Sequence, residues 1–227
     1  MKHTAILRLF QPGIVLFDPC VLHAFVQAHV APGEALFSRF VEDPALGDAA
    51  VRAGAVLPMY PIEEDDYAVF VEGSVPPSRA TRHFSHPGLP LQVDSGVLIA
   101  ADLHAVMEWD ADFFLHYRQR LQERLLNSDY LDVTAGRYEV RIQGYTGLPQ
   151  PHPPQGYGLE LRAAAQLPVT QAGEDFDFAL PLAAPVAGPQ ALPINGPCQP
   201  AASPAASAAT TAPAARPAPR RPRRTAS

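Results

Sequence analysis

The feature that most constrains this chain is an abrupt change of composition near residue 181. Beyond that point the sequence is dominated by Pro, Ala, Ser, Thr and Gly and has very few large apolar side chains. A segment of this composition buries too little apolar surface to offset the entropy lost when it becomes ordered. We therefore predict one globular domain over residues 1–180 and a disordered tail over residues 181–227.

Charge is divided unevenly between these two parts. The chain has 17 basic and 23 acidic residues, and five of the basic residues are arginines of the tail, which has no acid. The remaining 12 basic residues and all 23 acids leave the predicted domain with a net charge of −11. Such a domain repels nucleic acid and attracts basic protein surfaces. The tail is either solvated or makes a weak contact with nucleic acid or an acidic membrane through Arg220, Arg221, Arg223 and Arg224.

Cysteine usage and the N-terminus indicate the cellular compartment. Cys20 in the predicted domain and Cys198 in the tail form neither a disulfide framework nor a C-x-x-C motif. Arg8 and Pro12 interrupt the apolar N-terminal stretch, so we expect no signal peptide. No apolar run reaches the roughly 18 residues that span a bilayer. The expected location is the cytoplasm.

Short apolar runs predict most of the strands. A buried strand is expected at residues 14–17, and alternating polar and apolar residues predict a half-buried strand at 137–142 with a hairpin partner at 157–162. A last edge strand is expected at 176–180. The other runs are bounded by Pro, Gly, Asp or Ser at the spacing of an antiparallel sheet, and they lie at residues 56–59, 67–71, 89–93 and 97–101.

Capping signals and periodicity predict the helices. Asp18 as cap with Pro19 at the first position starts one helix. Asp43 as cap, Pro44 in the first turn and Gly54 at the end outline another. The most amphipathic pattern lies at residues 112–127 and predicts a helix packed on one face or edge of the sheet. Its apolar face consists of Phe113, Phe114, Tyr117, Leu121 and Leu125.

Two histidines raise the alternatives of a metal site or a hydrolytic site. His83 and His86 are three residues apart, and Asp94, Asp102 or His104 would complete such a site. Because the pair lies beside Pro87-Gly88 in a predicted loop, its geometry is not fixed as it would be on a helix, and exposed loop histidines are the interpretation we favour. Ser85, and Cys20 with His23, lack the strand-turn-helix context of a nucleophile. We predict no catalytic residue, no metal and no cofactor.

Four consecutive acids, Glu63, Glu64, Asp65 and Asp66, precede the apolar strand at 67–71. They form either a solvated turn or a docking surface for a basic partner, in which carboxylates steer association and mimic phosphates. A calcium loop is a third alternative, but the D-x-D-x-D-G order is absent. Trp109, the only tryptophan, is either a core residue or a recognition anchor. We predict these four acids and Trp109 as partner-binding residues.

The order of features over about residues 13–146 resembles the small bacterial family of competence-associated nuclease inhibitors. The similarity rests on the opening strand at 14–17, the stretch at 48–56 that leads into a strand, and the strand at 66–71. It continues through Arg82 and residues 90–93, 96–99, 131 and 136–140. The resemblance implies a compact β-rich sandwich and a protein-binding, nuclease-neutralising role. The chain departs from the family pattern at residues 20–40, in the helix at 112–127 and after Pro149.

Together these observations predict an α+β domain dominated by an antiparallel sheet, arranged as a β-sandwich or a partly open barrel with one packed amphipathic helix. The predicted function is that of an inhibitor or immunity-type protein that neutralises a basic partner such as a nuclease, rather than that of an enzyme. The first alternative is a hydrolase with a site around His83, His86, Asp102 and His104. The second is an adaptor module tethered by its basic tail.

Overall fold

Three layers make up the part of the chain that the computed structural model describes, which comprises residues 1–74, 80–120, 125–169 and 176–181. Two β-sheets stack face to face, and short helices cover the second sheet. The strands are β1 (Thr4–Arg8), β2 (Ile14–Phe17), β3 (Leu57–Met59), β4 (Asp66–Val71), β5 (Thr81–Val93), β6 (Val97–Asp102), β7 (Ser128–Asp132), β8 (Gly136–Thr146) and β9 (Gln155–Ala163). The helices are α1 (Pro19–His29), α2 (Leu36–Glu42), α3 (Pro44–Arg52), α4 (His104–Met107) and α5 (Ala111–Leu115).

Strand pairing defines the two sheets. The first has the order β1-β4-β9-β8-β5 and the second the order β3-β2-β6-β7. The pairs are antiparallel except β4 with β9, which run parallel. The described strands thus confirm the predicted sheet-dominated α+β class, in its sandwich form.

The second sheet is the middle layer, and this explains its sequence. Every residue of β2 and β6 is buried, and apart from Asp102 at the end of β6 both strands are continuous apolar runs without alternation. Ile14 and Leu16 face the first sheet, whereas Val15 and Phe17 face the helices. The first sheet has only one face toward this core, and β8 accordingly alternates buried and less buried residues over its first half.

Helix positions follow from the predicted caps. The carboxylate of Asp18 accepts hydrogen bonds from the amides of Cys20 and Val21, with Pro19 at the start of α1. Asp43 caps α3 through the amide of Leu46. Both caps were predicted from the sequence and are confirmed. The helices bury a second cluster of side chains, including Leu22, Phe25, Leu36, Phe114 and Tyr117, against β2 and β6.

One side of the sandwich is closed where β1 approaches β7. The amide of Arg8 donates to the carbonyl of Leu126 at 2.9 Å, and the amide of Asp132 donates to the carbonyl of Lys2 at 2.7 Å. The amide of Ile6 donates to the side chain of Asp129 at 3.1 Å. These bonds satisfy backbone groups that an edge strand would otherwise leave unpaired. Neither strand was predicted.

The predicted helix at residues 112–127 is wrong in its length. Helix α5 ends at Leu115, and Ser128 already begins β7, where it pairs with Ala101. Phe114 and Tyr117 are buried as predicted, but Leu125 is 57% exposed. The strand β7, which pairs with β6, begins directly after the predicted segment. Leu121 lies outside the described residues.

Two further predictions need correction. Residues 81–88 are not a loop but the first half of β5, and Pro87-Gly88 is accommodated as an irregularity between His86 and Leu89 with Gly88 at a φ of 81°. Residues 176–180 form no strand; instead Phe178 and Leu180 are buried in the core between the sheets. The carbonyl of Phe178 accepts a hydrogen bond from the Tyr157 hydroxyl at 2.9 Å.

In the described part of the chain, no helix combines the length and the hydropathy that a bilayer crossing requires. The tail arginines and Cys198 lie outside the described residues.

Candidate functional site

The four predicted acids lie where the chain passes from the second sheet to the first. Met59 ends β3 in one sheet and Asp66 begins β4 in the other, so residues 60–65 cross a corner of the sandwich. The side chains of Glu63 and Glu64 are exposed. Among the described residues no ion pair involves Glu63, Glu64 or Asp65, although the charge of Arg8 also acts on Asp65. We call residues 63–66 the acidic loop.

Hydrogen bonds hold the backbone of the acidic loop in place. The Tyr67 hydroxyl donates to the carbonyl of Glu63 at 2.9 Å, and the amide of Leu9 donates to the carbonyl of Asp65 at 2.9 Å. The side-chain amide of Gln155, a buried residue, donates to the Asp65 carboxylate at 2.7 Å. Burial raises the pKa of Tyr67 far above its ordinary value, with smaller contributions from the charges of Asp65 and Glu63. Tyr67 therefore stays neutral and remains a donor.

Asp66 differs from its three neighbours because it is paired. Its two carboxylate oxygens accept hydrogen bonds from Arg8 at 2.7 and 3.0 Å. Hydrogen bonding by Arg8 lowers the pKa of Asp66, and the charge of Arg8 acts in the same direction. Both side chains are about half exposed, so solvent screens the pair and its contribution to stability is small. Asp66 is thus neutralised, and the free negative charge of the loop resides on Glu63, Glu64 and Asp65.

A second crossing segment lies beside the acidic loop. Residues 9–13 carry the chain from β1 in the first sheet to β2 in the second. The pairs Arg8 with Asp66 and Ile14 with Met59 flank the two segments and make them run antiparallel. The amide of Ile62 contacts the carbonyl of Pro12 at 3.5 Å. The sequence analysis did not single out this segment, since no periodicity or motif marks a crossing between sheets.

Trp109 lies apart from the acidic loop in the chain, between α4 and α5, and is partly buried. Its ring stacks on Phe114 with a centroid distance of 5.3 Å and meets Phe17 edge-on at 5.7 Å. The indole is thus packed against the helix-side core. Its role as a recognition anchor stays a prediction.

The histidines of the alternative hydrolase site have different surroundings. The His83 ring contacts the Thr146 hydroxyl at 2.7 Å, whereas the His86 ring contacts the carbonyl of Asp177 at 2.8 Å. His86 also stacks on Phe84 with a centroid distance of 4.7 Å. An irregularity in the pairing of β5 with β8 falls between Arg82 and Phe84, so strand alternation alone does not place the two histidines on opposite faces. The described residues contain no group of three or more His, Cys, Asp or Glu side chains arranged to hold a metal ion.

Asp102 and His104 belong to another part of the molecule. The buried Asp102 carboxylate accepts hydrogen bonds from the amides of His104 and Phe10 and from the Asn127 side chain. All of its bonds are structural, because they connect β6 to three other segments. His104 lines a cleft of about 280 Å³ next to Glu108, whose carboxylate lies 3.5 Å from its ring. None of these contacts involves His83 or His86.

Cys20 lies in the first turn of α1 and is exposed. Partial desolvation raises the pKa of the thiol, and the charges of Asp18 and Asp94 raise it further. Because the thiolate is the nucleophilic form, these surroundings oppose nucleophilic catalysis by Cys20.

Comparison with known proteins yields two solved structures. One is described as "Crocagin biosynthetic gene J"; it is 15% identical, the alignment covers 70% of this chain and 96% of that chain, and the TM-score is 0.38. The other is ComJ of Bacillus subtilis, an inhibitor of the DNA degrading activity of NucA; it is 8% identical, with 71% and 95% covered and a TM-score of 0.37. No family model and no curated protein sequence matches the chain. Both TM-scores are below 0.5, so neither similarity supports a function for this chain.

Proposed function

We propose that this chain is an inhibitor or immunity-type protein that binds a basic partner such as a nuclease and neutralises it. The observation that carries the proposal is the acidic loop, in which Glu63, Glu64 and Asp65 are held on a fixed backbone and form no ion pair among the described residues. Carboxylates arranged in this way attract and orient a cationic surface. A nuclease binds phosphates through such a surface, so a rigid acidic loop competes for the groups that bind DNA.

The separate surroundings of the residues in the alternative hydrolase site support the same proposal. A hydrolase needs a nucleophile or metal and a base within hydrogen-bond reach of one another. His83, His86, Asp102 and His104 instead have separate partners, and the carboxylate of Asp102 is occupied by structural bonds. A binding surface requires no such convergence.

Three further parts of the proposal concern the rest of the chain. Residues 1–180 are proposed to form the binding domain, with residues 181–227 as a disordered tail whose arginines make at most weak nucleic-acid contacts. Trp109 is proposed as a second partner contact. The proposed location is the cytoplasm. The sequence resemblance to competence-associated nuclease inhibitors makes a DNA-degrading nuclease the first partner class to test.

The test starts with isolation of the nuclease. The immobilised full-length chain, with Arg220, Arg221, Arg223 and Arg224 replaced by Gln so that nucleic acid does not recruit unrelated proteins, is used to purify DNA-degrading activity from the native host. The purified nuclease is then titrated with the full-length chain, and cleavage of plasmid DNA is measured. We expect inhibition to be complete near one equivalent and to be independent of incubation time.

The same titration distinguishes the alternatives. A hydrolase that destroys the nuclease or its substrate would act at far below one equivalent, with an effect that grows with time and disappears in His83→Ala or His86→Ala. An adaptor would bind without reducing cleavage. Full activity of the nuclease at tenfold excess of the chain would contradict the proposed function.

A further inference from the structure

Exposed aromatic side chains lie at the same corner as the acidic loop. Phe10 is 51% exposed and Tyr60 is 57% exposed, so both rings present apolar surface to solvent. Pro12 and Pro61 beside them are exposed as well. We call the exposed side chains of Phe10, Pro12, Tyr60, Pro61, Glu63 and Glu64 the corner surface.

Strand register brings these residues together. The pairing of Arg8 with Asp66 continues into the bond between Leu9 and Asp65, so Phe10 directly follows the last residue that is bonded to the acidic loop. The pairing of Ile14 with Met59 likewise extends to Gly13 opposite Tyr60. Phe10 and Tyr60 therefore belong to neighbouring antiparallel segments, and Tyr60 lies three positions before the acidic loop in the chain.

The backbone under the corner surface is fixed by buried groups. The amide of Phe10 donates to the buried carboxylate of Asp102 at 3.3 Å. Gly13 lies so close to the carbonyl of Met59 and the side chain of Leu103 that a Cβ there would be tightly confined. Ile62, between Pro61 and the first acid, is buried in the core. Because the backbone is already ordered, a partner that binds this surface incurs little further loss of chain entropy.

We propose that the corner surface is the centre of the partner interface, where Phe10 and Tyr60 insert into an apolar depression of a basic protein whose cationic groups meet Glu63 and Glu64. This inference rests on the proposed function. Rigid exposed aromatics at the middle of a patch are typical binding hot spots, and charged residues around them set the encounter. The acids favour a basic protein over a second copy of this chain. In a symmetric dimer the second copy would bring its own acidic loop against this one, and the like charges would repel each other.

Phe10→Ser and Tyr60→Ser test the inference, with Val41→Ser as the matched control, because Val41 is 63% exposed on α2. The probe is the nuclease purified on the full-length chain, and its association and dissociation rates are measured for each variant. Each corner variant is expected to dissociate at least tenfold faster, with an association rate within about twofold of the parent. The control is expected to match the parent in both rates. Urea unfolding midpoints show whether each variant keeps its fold. If Phe10→Ser does not fold, Tyr60→Ser alone tests the inference.

The outcomes separate the inference from the proposed function. Dissociation within twofold of the parent in folded Tyr60→Ser would overturn the inference and leave the proposed function standing. Failure of the parent chain to form a one-to-one complex with any nuclease would overturn both. Self-association of the parent that is lost in Tyr60→Ser would assign the surface to a second copy and also overturn the inference.

Discussion

Asp18 provides the sharpest test of how this fold is held together. Its carboxylate is fully buried and caps α1 through the amides of Cys20 and Val21. The other carboxylate oxygen accepts hydrogen bonds from the amides of Asp94 and Ser95, at 2.9 and 2.7 Å, and from the Ser95 hydroxyl at 2.7 Å. One side chain therefore connects the start of a helix to the turn between β5 and β6. The sequence analysis identified only the cap.

Replacing Asp18 by Ser separates these two roles, because serine can cap a helix but is too short to reach the turn. The amides of Asp94 and Ser95 then lose their acceptor, at about 1–3 kcal/mol each. We expect Asp18→Ser to reduce the free energy of unfolding by about 2–6 kcal/mol. Asp18→Ala is expected to reduce it by about 1 kcal/mol more, because the helix cap is also lost.

The matched control is Asp110→Ser. Asp110 caps α5 through the amide of Phe113 at 3.0 Å and is exposed. We expect a change below about 1 kcal/mol, since serine and aspartate are similar caps. Urea unfolding followed by circular dichroism gives the free energies, with equal slopes required for the comparison. If Asp18→Ser cost no more than Asp110→Ser, the link to the turn would contribute nothing and the reasoning would be refuted.

Three other predictions concern the core, the surface charge and the tail. Phe178→Ala should lower stability by about 3–5 kcal/mol in urea unfolding, because the ring is buried between the sheets; a loss below 1 kcal/mol would show that residues 176–181 are not part of the core. The lowered pKa of Asp66 means that its stabilisation is present above about pH 4 and is lost as the pH falls through the folded value. Asp66→Asn should therefore flatten the acid loss of stability by a few tenths of a kcal/mol, up to about 1 kcal/mol, and an unchanged pH profile would contradict the assignment. Deleting residues 182–227 should leave the melting temperature unchanged in calorimetry, and a fall of several degrees would place part of that segment in the folded domain.

Local signals in the sequence predicted the elements that local physics determines. The continuous apolar runs of β2 and β6 mark strands buried on both faces, and Asp18-Pro19 and Asp43-Pro44 mark helix starts. These features depend only on neighbouring residues.

Elements that depend on distant partners were not predicted. The polar first half of β5 is a strand because β8 pairs with it, and β7 pairs with β6 although no apolar run marks it in the sequence. The acidic loop was evident in the sequence as a charge run. The ion pair between Asp66 and Arg8 and the proximity of the loop to Phe10 both join residues more than 50 positions apart. No local sequence pattern reveals such contacts.

The most direct test of the central claim is the salt dependence of association between the full-length chain and the purified nuclease. The variant is Glu63→Gln with Glu64→Gln, which keeps Asp65 bound to Gln155 and Asp66 bound to Arg8. The control removes two charges from the helical layer, as Glu42→Gln with Asp48→Asn. We predict that the loop variant associates roughly tenfold more slowly at low salt and with a flatter salt dependence, while the control stays close to the parent. Equal association rates for the loop variant and the parent at low salt would show that the acidic loop is only a solvated turn.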